Sequence, residues 1–198
     1  MPRLKMRKAF VLLSRGLLAA MALWVSSANI SANAQTAVNQ PVSLDRLLAG
    51  MTRCDINPEL TRLWQSVADR FRNDHGAKTA HINSKVALAV PRDLAGAIHI
   101  SRATSQLEDA ESTIVRIPVS GTFQKIPLRH LEFVLGNENG ISIIAVEFEA
   151  TPAQVTSTFG DAIRAGNAIL KRRSKDGSEA SAGFGSNNTP SIWCNRST

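Results

Sequence analysis

The sequence predicts an α+β fold: an irregular antiparallel sheet with two N-terminal amphipathic helices and one further short helix packed on it. Three observations carry this. Apolar residues recur at helical spacing between positions 43 and 71, Ile/Val-rich runs follow from 85 to 149, and Pro and Gly interrupt those runs at short intervals.

A leader precedes the folded part. Arg3, Lys5, Arg7, Lys8 and Arg15, with no acid among them, come before the apolar run 16–28, and the small-residue site Ala32-Asn33-Ala34 follows. Basic, then apolar, then A-x-A is the order that a secretory signal needs. The apolar run is too short to cross about 30 Å of hydrocarbon at about 1.5 Å per residue. Residues 1–34 are therefore expected to be a signal peptide, 35–42 a flexible mature N-terminus and 43–198 a single α+β domain. A periplasmic or secreted location follows, with no stable transmembrane anchor after cleavage.

Cleavage after Ala34 takes away five of the 23 basic residues and none of the 16 acidic ones, so the mature chain carries only +2. A near-neutral surface has little pull on a polyphosphate, and nucleic acid is not an expected partner. Only two cysteines occur, Cys54 and Cys194. In an oxidising compartment such a pair becomes a disulfide, here one that ties the start of the domain to its end.

Taken in order, Ser43 is an N-cap candidate for a first helix with Leu44, Leu47, Leu48 and Met51 at i, i+3, i+4 and i+7. Asn57 and Pro58 open a second, whose stripe is Leu60, Leu63, Trp64, Val67 and Phe71, and Asn73, Asp74 and Gly76 close it. Residues 85–90, 98–103 and 112–119 are strand-like, and Pro91, Pro118 and Pro127 mark strand ends or bulges. Residues 106–112, with Glu108, Asp109 and Glu111, form a surface loop in this reading. Two extended runs over 128–149, joined by Asn137-Glu138-Asn139-Gly140, predict a hairpin. If Gly136 pairs with Ile141, then Phe133 faces Ile144 and Leu131 faces Val146 on an apolar side. Val134 then meets Ile143, Glu132 meets Ala145, and His130 meets Glu147 on the other.

Thr151-Pro152-Ala153-Gln154 is a capping box for a short helix ending near Gly160, with 167–173 a further strand. The Gly/Ser/Ala-rich stretch 176–188 reads as a mobile loop or weak hairpin, and 191–194 returns to the fold with Trp193 beside the disulfide.

The chemical candidates are few. His130, Glu132 and Glu147 place imidazole and carboxylates on one hairpin face, a set suited to acid–base chemistry. Cross-strand charge pairing is the structural account of the same residues. His75 and His81, with Asp74, lack zinc spacing and a third ligand, His99 has no partner in sequence, and no metal site or cofactor is expected. Lys171, Arg172 and Arg173 form the basic run of the mature chain, a candidate contact for an anionic surface. Gly183-Phe184-Gly185 lacks the third glycine and the helix of a dinucleotide loop. G-x-S-x-G, H-E-x-x-H and C-x-x-C are absent, and Asn187 and Asn195 stand in acceptor sequons. With no Tyr, and with Trp64 and Trp193 assigned to a helix stripe and the disulfide neighbourhood, no aromatic platform for sugars is expected.

Since these patterns serve folding and none assembles a reactive group, the expected role is binding, as an exported accessory, inhibitor or envelope-interaction protein. Its partner would be a protein or envelope component. The alternative is a small extracytoplasmic hydrolase or metal-dependent enzyme using His130, Glu132 and Glu147.

Overall fold

Strand β5 (Ile126–Gly136) organises the sheet. The structure, a computed structural model, describes residues 41–73, 81–108, 111–137, 140–173, 180–186 and 188–197. All of them fall within one contact unit, Pro41–Thr198. The leader, residues 35–40, Asp74, His75, Asp109 and Asn187 lie outside the described residues.

One edge of β5 pairs with β3 (Ser112–Pro118) and, nearer its start, with β4 (Gly121–Phe123); its other edge pairs with β6 (Ser142–Phe148). Past β6 come β8 (Ser191–Asn195) and then β7 (Ser181–Phe184), and past β3 lies β2 (Thr104–Glu108). The two-residue strand β1 (Val42–Ser43) joins β4 in parallel, so the sheet is mixed rather than wholly antiparallel.

The hairpin register is the one its turn sequence predicts. Gly136 N–H donates to Ile141 O at 2.8 Å, and Phe133↔Ile144, Leu131↔Val146, Val134↔Ile143, Glu132↔Ala145 and His130↔Glu147 are direct partners. Beyond His130 the register shifts, because a bulge at Arg129 brings Leu128 opposite Phe148. One extra residue lets both Leu128 and Leu131 enter the core, three positions apart, and turns Arg129 and His130 to the outside together.

The helical parts depart from expectation at both ends. Residues 45–50 are consecutive turns running into a 3-10 turn, Met51–Arg53, not an α-helix. The apolar assignment holds, since Leu44, Leu47, Leu48 and Met51 are all at most 1% exposed. The segment leaves a strand at Ser43 and meets left-handed backbone at Gly50 and Cys54, which is too little length to offset helix nucleation. Helix α1 (Pro58–Phe71) forms as predicted: Asn57 Oδ1 accepts from Leu60 N–H at 2.9 Å, while its Nδ2 donates to Arg46 O and Leu47 O and ties down the preceding turns.

Helix α2 (Pro152–Arg173) is long, not short. Its capping box is present: Gln154 N–H donates to Thr151 Oγ1 at 3.3 Å, and Thr151 N–H to Gln154 Oε1 at 2.9 Å. The helix continues through Gly160, which does not take the left-handed backbone that a cap requires. Residues 167–173 are thus its last turns, not a strand. Gly166 marks a crossing, because a Cβ there would lie 2.2 Å from Thr52 O.

Two of the predicted strands are also absent. Residues 85–90 are irregular because α1 side chains satisfy their backbone: Arg70 Nη1 donates to Val86 O, and Ser66 Oγ accepts from Ala89 N–H, both at 2.9 Å. Residues 98–103 form one isolated bridge, Ile98 to Val119, and a 3-10 turn, Ile100–Arg102. Strand β2 occupies the first part of the predicted acidic loop, so Glu108 ends a strand.

A single core fills the space between the helices and one face of the sheet, with Leu63, Ile117, Leu131, Phe133, Val146 and Cys194 fully buried. The Phe159 ring of α2 lies 5.2 Å from Phe123 and 5.3 Å from Phe148, between centroids. The Cys54–Cys194 disulfide is formed, with Cα atoms 5.2 Å apart. It fastens the turn after Met51–Arg53 to β8. Asn167 of α2 reaches the outermost strand: its Nδ2 donates to Ala182 O at 2.8 Å, and its Oδ1 accepts from Ala182 N–H at 2.9 Å. Among the described residues, no helix is long and apolar enough to cross a membrane.

Candidate functional site

Strand alternation sends every second side chain of β3, β5, β6 and β8 away from the core, and among the described residues this outer face opens as a groove. The groove measures about 820 Å³, within the range of small-molecule and peptide clefts. Its floor is apolar, made by Ile114, Val134, Ile143 and Ala145, and Trp193 stands on the β8 side. Trp193 and Cys194 are neighbours in sequence yet face opposite sides of the sheet, so the indole belongs to this groove and not to the disulfide neighbourhood. The missing Cβ of Gly183 makes room for it, since a methyl there would sit 2.4 Å from Cζ2 of the ring. Nε1 donates to Phe184 O at 2.8 Å, which fixes the ring. An aromatic side chain therefore lines the groove.

The structure brings His130, Glu132 and Glu147 together in this groove, with side chains 15%, 23% and 18% exposed. Each carboxylate is already engaged. Arg116 Nε donates to Glu132 Oε2 at 2.7 Å, and Arg129 Nη1 to Glu147 Oε1 at 2.8 Å. The second oxygen of Glu147 lies 3.0 Å from His130 Nε2, without the alignment of a hydrogen bond. The β5 bulge explains this convergence: only because Arg129 and His130 both point outward can consecutive residues meet the two oxygens of one carboxylate.

Burial holds the His130 pKa below its usual 6.5, against the pull of Glu147 and Glu132, with Arg116 and Arg129 pushing the same way as burial. The imidazole is neutral at neutral pH. As the pH falls, the unfolded chain takes up this proton first, so stability present above 6.5 is lost as the pH drops through the folded value. His130→Gln is therefore expected to unfold less readily than the parent on acidification from about pH 7.5 to about pH 5, compared by urea titration. An equal loss in both proteins would remove His130 as the cause.

No serine, threonine or cysteine hydroxyl or thiol is hydrogen-bonded to His130 among the described residues. No three His, Cys, Asp or Glu side chains among them converge as a metal cage would require. The arrangement supplies a fixed aromatic edge, an apolar floor and a charge cluster neutralised from within. Comparison with protein-family models, with curated proteins and with solved structures finds no match to this chain.

The remaining candidates lie elsewhere. Lys171, Arg172 and Arg173 are exposed in the last turn of α2, where positive charge complements the carbonyl end of the helix. His99 Nε2 has a partner after all, Ser120 Oγ at 2.6 Å, and His81 is exposed. Asn195 Oδ1 accepts from Ser197 N–H at 2.9 Å. Sequence reasoning missed Arg116, Arg129 and Trp193. One signal for Arg129 was available: Leu128 and Leu131 break the two-residue alternation that a regular strand would keep.

Proposed function

We propose that this is an exported protein, periplasmic or secreted, that acts by binding a protein or envelope component through the groove on the outer sheet face. The observation that carries the reading is the state of that groove: an open concave surface with an apolar floor and a rigidly seated Trp193, whose Glu132 and Glu147 carboxylates are already held by guanidiniums. Such a surface offers contact area, and the two carboxylates nearest His130 are committed to ion pairs. The disulfide suits an oxidising compartment. The alternative, a small hydrolase or metal-dependent enzyme, draws on the neutral, half-buried His130 beside Glu147. The ion pairs of both glutamates favour binding over it.

Ala145 offers the test. It lies mid-groove, paired with Glu132 on one side and Trp193 on the other, and its side chain points away from the core. Ala145→Trp is expected to fill the groove and abolish cross-linked capture of a partner from envelope extract, while the melting temperature stays within about 2 °C, as for a surface change. Undiminished capture by a folded Ala145→Trp protein would place binding elsewhere.

A further inference from the structure

A second cavity, of about 490 Å³, opens between the end of α1, the turn end of the β5–β6 hairpin and the tail after β8. It shares no residue with the outer groove, and nothing in the binding role proposed above uses it. Trp64 comes from α1 and Arg72 is the residue that caps its end, Gly136 and Ile141 come from the hairpin, and Arg196 from the tail. The backbone holds these pieces in place: Arg196 N–H donates to Ser142 O at 2.8 Å, and Ser142 N–H to Ser197 Oγ at 3.1 Å.

Three features give the cavity its chemistry. Both of its charged lining residues are arginines, and no Asp or Glu lines it among the described residues. Among the described residues neither guanidinium holds an ion pair, whereas Arg46, Arg116, Arg129 and Arg164 each hold a carboxylate. The Trp64 indole N–H is buried and has no acceptor among the described residues, a state that buried donors rarely keep. Trp193, by contrast, has its acceptor at Phe184 O. Two guanidiniums present donors in the fork geometry that fits carboxylate and phosphate oxygens, and the indole supplies a neutral donor beside an apolar wall of Ile141.

We propose that this cavity binds a small organic anion, whose anionic oxygens are held by Arg72 and Arg196 and answered by the Trp64 indole N–H. Both carboxylates and phosphates carry such oxygens, and titration separates them.

The experiment follows the indole N–H resonances of the 15N-labelled full-length protein, each assigned by a Trp→Phe change at Trp24, Trp64 or Trp193. Succinate and inorganic phosphate are added in separate titrations, with sodium chloride at matched ionic strength as the control. The Trp64 signal is expected to move saturably with one of the two anions, while the Trp193 signal stays in place. Saturation by succinate assigns a carboxylate ligand, and saturation by phosphate a phosphorylated one. Arg72→Gln with Arg196→Gln is expected to weaken this binding at least about tenfold, the scale of losing charge-assisted hydrogen bonds. Arg196→Gln alone serves if the double variant loses its dispersed amide spectrum. The proposal is overturned if the Trp64 signal ignores both anions, if chloride moves it equally, or if the arginine variants bind as tightly as the parent.

Discussion

Replacing Cys54 and Cys194 together by alanine is expected to lower the unfolding free energy by about 3–5 kcal/mol. The bridge spans a sequence separation of 140 residues, and closing so long a loop removes on the order of 5 kcal/mol of chain entropy from the unfolded state. It joins the start of the domain to its last strand. Cys54 sits at the end of a run of turns, in left-handed backbone, while Cys194 is fully buried in β8 between Ile144 and Ala182. Alanine is the right replacement, since serine at position 194 would bury a hydroxyl and add its own penalty. Urea unfolding of the parent and the double variant, each with and without reductant, provides the measurement. The parent should fall to the level of the variant when reduced, and the variant should ignore reductant. Coincident transitions for the oxidised parent and the variant would show that the bridge contributes nothing.

Phe159→Ala is expected to cost about 3–5 kcal/mol, the usual range for removing a buried aromatic side chain. Phe159 is 2% exposed and its ring contacts those of Phe123 and Phe148, so one side chain of α2 touches both β4 and β6. Few other large residues hold this helix: Val155 and Ile163 are the remaining large apolar side chains that it buries. Equilibrium unfolding gives the value, and Phe159→Leu, which keeps most of the volume, should recover more than half of the loss. A cost below about 1 kcal/mol for Phe159→Ala would mean that α2 is not anchored through this ring.

What could be read in advance was whatever local chemistry decides. The Asn57-Pro58 start of α1, the capping box at Thr151 and the hairpin register from Gly136 and Ile141 each rest on a few adjacent residues, and each is present. What could not be read depends on neighbours distant in sequence. Residues 85–90 have strand composition, but Ser66 and Arg70 take their backbone groups. Gly160 resembles a helix end, yet packing carries α2 through it and past Gly166. The candidate site shows the same division. The facing of His130 and Glu147 follows from register, whereas the bulge that adds Arg129, the pairing of β3 that adds Arg116, and the strand order that brings Trp193 alongside are tertiary facts. Trp193 is instructive in another way: closeness to Cys194 along the chain suggested closeness in space, and the pleat puts the two on opposite sides.

The amide of Asn167 gives β7 a property that the strand itself lacks. An edge strand offers unpaired donors and acceptors to any extended chain that meets it, and here one such pair, at Ala182, is occupied from within. That occupation lasts only while the helix is seated. A molecule whose α2 has come loose, even with the rest of its sheet intact, presents a ready template to a second molecule. Self-association on storage should therefore follow release of this helix rather than global denaturation, and variants that loosen α2 should clump at temperatures where most of their chains are still folded.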